Sequence, residues 1–475
     1  MLKKIHSRIP AVYVCGVLAF LPLVFCDGFF DINRAKFAFF VLWTFLGAAV
    51  YLFTGKLRFS ARHLPLFALC LFSAVSTLLS EDPADAFWGT GGRLCGWLFL
   101  LCAVLGAWLA SQDNNRLWSV YAFLGAGCIV SLLGTINFFR VDPLGFYVHM
   151  RPNQTEQFLS TIGNIDLFGA YLCLLLPVAA GIFLHSEKNV IPAAIAIFCA
   201  ALAVLPCRAE GGMLALTVTG FLCLRSGTKR GFFAGGLLCT ALLTAAVLIH
   251  CFPESCYSLA GASGWYIAKL WYLLIPAALA CFAAAVTCGE RAARVISRTI
   301  TVLAIALIAV TAAAFVWFTF FERETPLRAI FKYLRFSDSW GSYRGGVWTR
   351  CLRLYGDLPL TQKLFGVGPD SLETPLYAAY GAEITAFSGM RFDNAHCLPL
   401  QYLLTTGLTG LAAAAAAALI SLVRLMKSRD GVARSAGYGC LVYLICALFT
   451  VNTPAVSPLF WMLLYAFGGD ADARA

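Results

Sequence analysis

The chain has 475 residues, 60% of them hydrophobic and only 12% charged, whereas a soluble domain carries about a quarter charged residues. Such a chain cannot cover its surface with polar groups, so its solvent is expected to be mostly lipid. The formal net charge of +11 does not point to nucleic acid, because the basic residues are spread over short loops between apolar runs and form no stripe.

The chain opens with MLKKIHSR and the apolar run IPAVYVCGVLAFLPLVFC. A basic flank before a run long enough to span, with no small-residue cleavage site, reads as a signal anchor. A helix crosses the hydrocarbon in about 20 residues. Apolar runs follow near 9–26, 36–54, 63–80, 94–111, 117–139, 165–184, 190–206, 211–224, 231–251, 266–288, 299–319, 398–423, 435–451 and 455–468. The expected fold is therefore all-α and polytopic, with about 12–14 transmembrane helices. Loops GKLRFSARH, RSGTKR, GERAARVISR and RLMKSRDGVAR are basic, whereas SEDPADAF, FPESCYS and VNTPAVSP are acidic or neutral. The sidedness of Lys and Arg places the basic loops and both termini in the cytoplasm.

The 19 cysteines lie mostly inside apolar runs such as YLCLLLPVAAG, where Cys behaves as a small hydrophobe. Cys251 and Cys256 in HCFPESC have the spacing for a short-loop disulfide, and no His/Cys cluster has zinc spacing. Lys269 is the main charge near a span.

One segment breaks the rhythm. Residues 1–319 hold about eleven spans and 398–475 about three, and between them 320–397 forms a large loop that the topology places outside. It is rich in Trp, Tyr, Phe and Gly and carries about nine Lys and Arg residues, against the sidedness rule, which implies something negative outside. In SYRGGVWTRCLRLYGDLPLTQKLFGVGPDSL, a helical wheel puts Val347, Trp348, Cys351, Leu352 and Tyr355 on one apolar face and turns Arg350 and Arg353 away. Arg344 falls within the apolar stripe, where a guanidinium needs an anionic partner or a wet cavity. LFGVGPDSL is a turn and no Walker loop, since no Gly-Lys-Ser/Thr follows.

The stretch RFDNAHCLPLQYLLTTGLTGL places His396 where polar chain becomes an apolar helix. An imidazole there can take a hydroxyl proton where a membrane-anchored donor presents its headgroup, with Asp393 available to orient it. Arg93 in FWGTGGRLCGW and Arg208 in LPCRAEGG sit at other span mouths, Arg208 with Glu210 available to pair. Arg391 opens the histidine stretch. Arginine suits phosphate because its fork donates two parallel hydrogen bonds.

Four stretches resemble the O-antigen ligase and O-antigen polymerase superfamily, which includes bacterial protein O-oligosaccharyltransferases. LLSEDPADAFWGTGGRLCGW is similar to its short external loop ending in Arg-x-x-Gly. FLSTIGNIDLFGAYLCLLLP is similar to its Gly-Asn entry into a span. YRGGVWTRCLRLYGDLPLTQKLFGVGPDSL resembles its large loop. NAHCLPLQYLLTTGLTGL resembles its Ala-His-Asn stretch. The resemblance covers about residues 75–470. Three departures stand out: Cys397 replaces Asn after His396, CRAEGG replaces Ser-Arg-Gly, and GNID replaces Gly-Asn-Pro-Asn.

The resemblance implies a GT-C glycosyltransferase of the bacterial cytoplasmic membrane, inverting, with no metal or other cofactor. Its donor would be a glycan on undecaprenyl pyrophosphate at the outer face. The acceptor would be a hydroxyl of a glycolipid, a wall polymer or a protein. His396 would be the general base, and Arg344, Arg208, Arg93 and Arg391 the candidates for holding the pyrophosphate. A polymerase of the same superfamily would use nearly the same residues. A polytopic transporter or flippase is the reading from another class, although the chain shows no internal repeat of the kind many carriers have.

Overall fold

A computed structural model describes residues 6–29, 31–55, 58–113, 116–151, 154–322 and 333–467. The expected positions of the two termini and the 323–332 part of the large loop lie outside these residues. Among the described residues the protein is a bundle of helices. Strand structure is confined to a two-residue antiparallel pair in which Phe158 faces Asn164 and Leu159 faces Gly163.

The apolar runs become helices because backbone groups surrounded by hydrocarbon must satisfy one another within the segment. Seven helices are long and apolar enough to cross a membrane: Ile32–Thr54, Ala61–Leu78, Arg116–Phe138, Ile165–His185, Lys229–Cys251, Glu290–Phe321 and Gly407–Lys427. Six shorter apolar helices join them: Ile9–Phe20, Trp97–Ala110, Val190–Leu202, Trp271–Thr287, Gly431–Cys446 and Ser457–Ala466. This makes the chain an all-α, multi-pass membrane protein.

The helix Ile165–His185 is the hub. Asn164 caps its start by accepting from the Asp166 amide at 2.8 Å, which explains the Gly-Asn entry seen in the sequence. The helix packs against Gly431–Cys446, Glu210–Arg225 and Val190–Leu202 and is buried almost throughout. At the other extreme, Glu290–Val316 buries only Ala293.

Contacts between loops sort the helix ends onto two faces. On one, the Trp108 indole donates to the Arg58 carbonyl, Arg116 pairs with Asp430 at 2.7 Å, Arg230 donates to the Ser186 carbonyl and Ser297 donates to the Arg225 carbonyl. A Cβ on Gly431 would meet His185, which joins the Arg116–Asp430 contact to the Arg230–Ser186 contact, so all four basic loops named above share this face. On the other, the Phe29 amide donates to the Phe146 carbonyl, Arg93 pairs with Asp393, the Tyr257 amide donates to the Phe138 carbonyl and Arg208 pairs with Glu156. The large loop sits here.

Several sequence expectations change. The run 398–423 is two helices, Leu398–Thr405 and Gly407–Lys427. Gly407 has φ 70°, and a Cβ there would strike the Leu364 carbonyl. The break frees the Leu404 and Thr405 carbonyls. They accept from the Val367 and Gly368 amides at 3.0 and 3.1 Å, and Thr405 also accepts from the Ser76 hydroxyl at 2.7 Å. A gap in a membrane helix is tolerated because the large loop supplies the missing donors. Cys251 and Cys256 are both free thiols. Among the described residues the buried lysine is Lys36, not Lys269; its Nζ donates to the Leu21 and Pro22 carbonyls at 2.7 and 2.9 Å.

Candidate functional site

The large loop packs as its own small apolar cluster around Val347, Cys351, Leu354, Leu372, Leu376 and Ile384, with Leu400 and Leu404 from the broken helix. Leu354 takes the place the helical wheel assigned to Leu352, which is 57% exposed. Gly341, Ser342 and Tyr343 have positive φ, so the regular helix begins only at Arg344, and Val347, Cys351 and Leu354 form its buried edge. Arg350, expected to face away, is instead held between Asp338 at 2.6 Å and Glu383 at 3.0 Å, over the Phe387 ring.

His396 is pinned by its backbone. It has φ 49°, a left-handed conformation that its Asx-type turn supports, its amide donating to Asn394 Oδ1 at 2.9 Å. On one side the Ala395 carbonyl accepts from the Trp348 indole at 2.8 Å and the Ala395 amide donates to Gln401 Oε1 at 3.0 Å. On the other, the Leu398 amide donates to the Ala447 carbonyl at 2.8 Å. The imidazole is half-buried, meets Phe392 edge-on, and makes no hydrogen bond among the described residues. Burial, then the positive charges of Arg93 and Arg344, push its pKa down to about 4, with Asp393 opposing them. It is therefore neutral at physiological pH, with a lone pair free.

The arginines separate into four situations. Arg93 makes a two-pronged pair with Asp393, Nε to Oδ2 at 2.7 Å and Nη2 to Oδ1 at 2.6 Å. Asp393 thus holds Arg93 and forms no hydrogen bond with His396. The same glycine-rich loop grips Asp370, whose carboxylate accepts from the Thr90 and Cys95 amides at 3.2 and 3.1 Å. Burial outweighs those donors and pushes Asp370 up to about 7. Asp370 carries no flag in the sequence, since a turn aspartate after Gly-Pro reads as solvated.

Arg344 lies within electrostatic reach of both His396 and Asp166. It is half-buried and has no ion-pair or hydrogen-bond partner among the described residues. It opens onto a cavity of about 310 Å³ lined also by Asp166, Glu210, Trp340, Ile445 and Phe449. His396 is not in that wall, so Arg344 is the link between cavity and imidazole.

Arg208 lies in another group. It pairs with Glu156 at 3.3 Å, not with Glu210, and stacks over Tyr257. Arg391 is 75% exposed, paired with Glu373 and lying over Tyr377. Just below the histidine, Leu398, Tyr402, Ala414, Ala418, Leu444 and Trp461 line an apolar groove of about 240 Å³. No model of a known protein family and no curated protein matches the chain.

Proposed function

We propose that this protein is an O-antigen ligase-like glycosyltransferase of the bacterial cytoplasmic membrane. It moves a glycan from undecaprenyl pyrophosphate to an acceptor hydroxyl at the outer face. The observation that carries this reading is the juxtaposition at the membrane seam. A neutral imidazole with no hydrogen-bond partner among the described residues lies within electrostatic reach of a guanidinium that is likewise unpaired among them, next to an apolar groove that suits a lipid tail. The chemistry follows from these groups. The tail enters the groove and the pyrophosphate meets Arg344. His396 accepts the acceptor hydroxyl's proton as that oxygen attacks the anomeric carbon. The sugar–phosphate bond breaks with inversion, and charge grows on the departing pyrophosphate, where a preorganised guanidinium stabilises it.

The low pKa of His396 gains a purpose in this scheme. A base held near 4 is weak, but the pyrophosphate brings negative charge beside the cations that depress it. Its arrival raises the imidazole pKa, so the base strengthens only with donor bound.

The test is transfer in membranes carrying His396→Asn, a substitution that tolerates the left-handed backbone. Transfer is expected to fall about 10²–10⁴-fold while lipid-linked donor accumulates. Undiminished transfer would remove His396 from the chemistry. The product separates glycan moved to a new acceptor from a chain extended on its lipid.

A further inference from the structure

The cavity beside Arg344 carries more anionic than cationic charge, and this bears on which sugar it holds. Asp166 and Glu210 occupy the first turns of helices Ile165–His185 and Glu210–Arg225. These helices cross at glycines. A Cβ on Gly211 would stand 2.9 Å from the Gly169 carbonyl carbon, and the Cys173 thiol donates to the Gly211 carbonyl at 3.1 Å. That close approach sets the two N-termini, and the two carboxylates, side by side.

Asp166 is exposed and lines the cavity wall with Glu210. Its carboxylate accepts no hydrogen bond among the described residues, and Glu210 receives only a long one, from the Tyr333 hydroxyl at 3.5 Å. Helix N-termini favour acidic residues, but that preference does not require both to converge on a cavity opposite an unpaired arginine. GNID and CRAEGG, two of the departures from the ligase pattern, are the segments that supply these acids.

We infer that the cavity binds the phosphate-proximal sugar of the donor and selects one bearing a protonated amine. The inference rests on the transferase reading for the source of that sugar. Arg344 takes the phosphate. Asp166 and Glu210 take ammonium and hydroxyl donors in charge-assisted hydrogen bonds and repel an acidic sugar. Trp340 and Phe449 offer ring faces to the apolar side of the pyranose.

The test measures binding to the full chain in nanodiscs by calorimetry at neutral pH, without turnover. The probes are glucosamine 1-phosphate, N-acetylglucosamine 1-phosphate and glucuronic acid 1-phosphate. The amine form is expected to bind about tenfold or more tighter than the N-acetyl form, as one charge-assisted bond allows, and the uronate weakest. Asp166→Asn with Glu210→Gln should erase this order while phosphate-dependent binding persists, and Arg344→Ala should weaken all three. Equal affinities, no saturable binding, an order the double variant leaves intact, or affinity that follows added Mg²⁺ and not the amine would overturn the inference. A protein that binds the amine form yet transfers no glycan would sink the transferase reading alone.

Discussion

The glycine loop around Arg93 and the cavity around Arg344 flank the same histidine with the same kind of side chain, held in opposite ways. Arg93 is saturated by a two-pronged carboxylate and ties the loop before Trp97 to the segment carrying His396. Arg344 starts a kinked helix and spends its charge on a cavity. A closed ion pair fixes geometry, because its charge is already answered. An open cation beside a cavity is available to an anion that arrives later. Positive charge alone therefore does not mark a phosphate site; the lack of a protein partner does.

That contrast breaks if the two arginines respond alike. The largest effect is expected at Arg344. Arg344→Lys keeps the charge but loses the fork, and should lower transfer by about 10²–10³-fold, the usual cost of one preorganised donor. Near-normal turnover in that variant would remove Arg344 from the pyrophosphate.

The pH profile sharpens the same point. The acid limb of kcat/KM, which reports the free enzyme, should lie near pH 4, and that of kcat should lie higher because bound pyrophosphate raises the imidazole pKa. Arg344→Ala removes a depressing charge, so its kcat/KM limb should also move up. Coincident limbs in the wild type would show that donor charge does not reach His396.

At the Arg93 pair the effect should appear in stability. Each single alanine variant at Arg93 and Asp393 is expected to lower the melting temperature. The double variant should be less unstable than the sum, with a coupling energy of about 1–3 kcal/mol. Additive losses would mean that the pair holds nothing together. Arg391→Ala should do least. That side chain is three-quarters exposed and engaged with Glu373, so transfer within about twofold is expected, as surface substitutions are usually worth less than about 0.5 kcal/mol.

Much of this was legible in the residues. The runs of apolar sequence locate most of the helices, though 398–423 is two and the run from 299 belongs to a helix that starts at Glu290, and the basic loops that sidedness grouped together do share a face. His396 and Arg344 were visible as polar groups at apolar seams. Less visible was anything depending on a partner far away in the chain. Asp393 looked like a helper for His396, yet it belongs to Arg93, 300 positions earlier. Arg208 was assigned the adjacent Glu210 but pairs with Glu156, across 52 positions. Asp370, in a segment read only as a turn, is buried and accepts from two amides of the glycine loop.

The sequence by itself determined the solvent, the all-α class and the seam where polar chain meets hydrocarbon. Those follow from composition and from the rule that backbone in lipid bonds to itself. Only the tertiary structure decided which charges were already neutralised. Pairing depends on distances between loops, and those are set by helix crossings such as Gly169 on Gly211 and by the break at Gly407, which no local pattern of residues encodes.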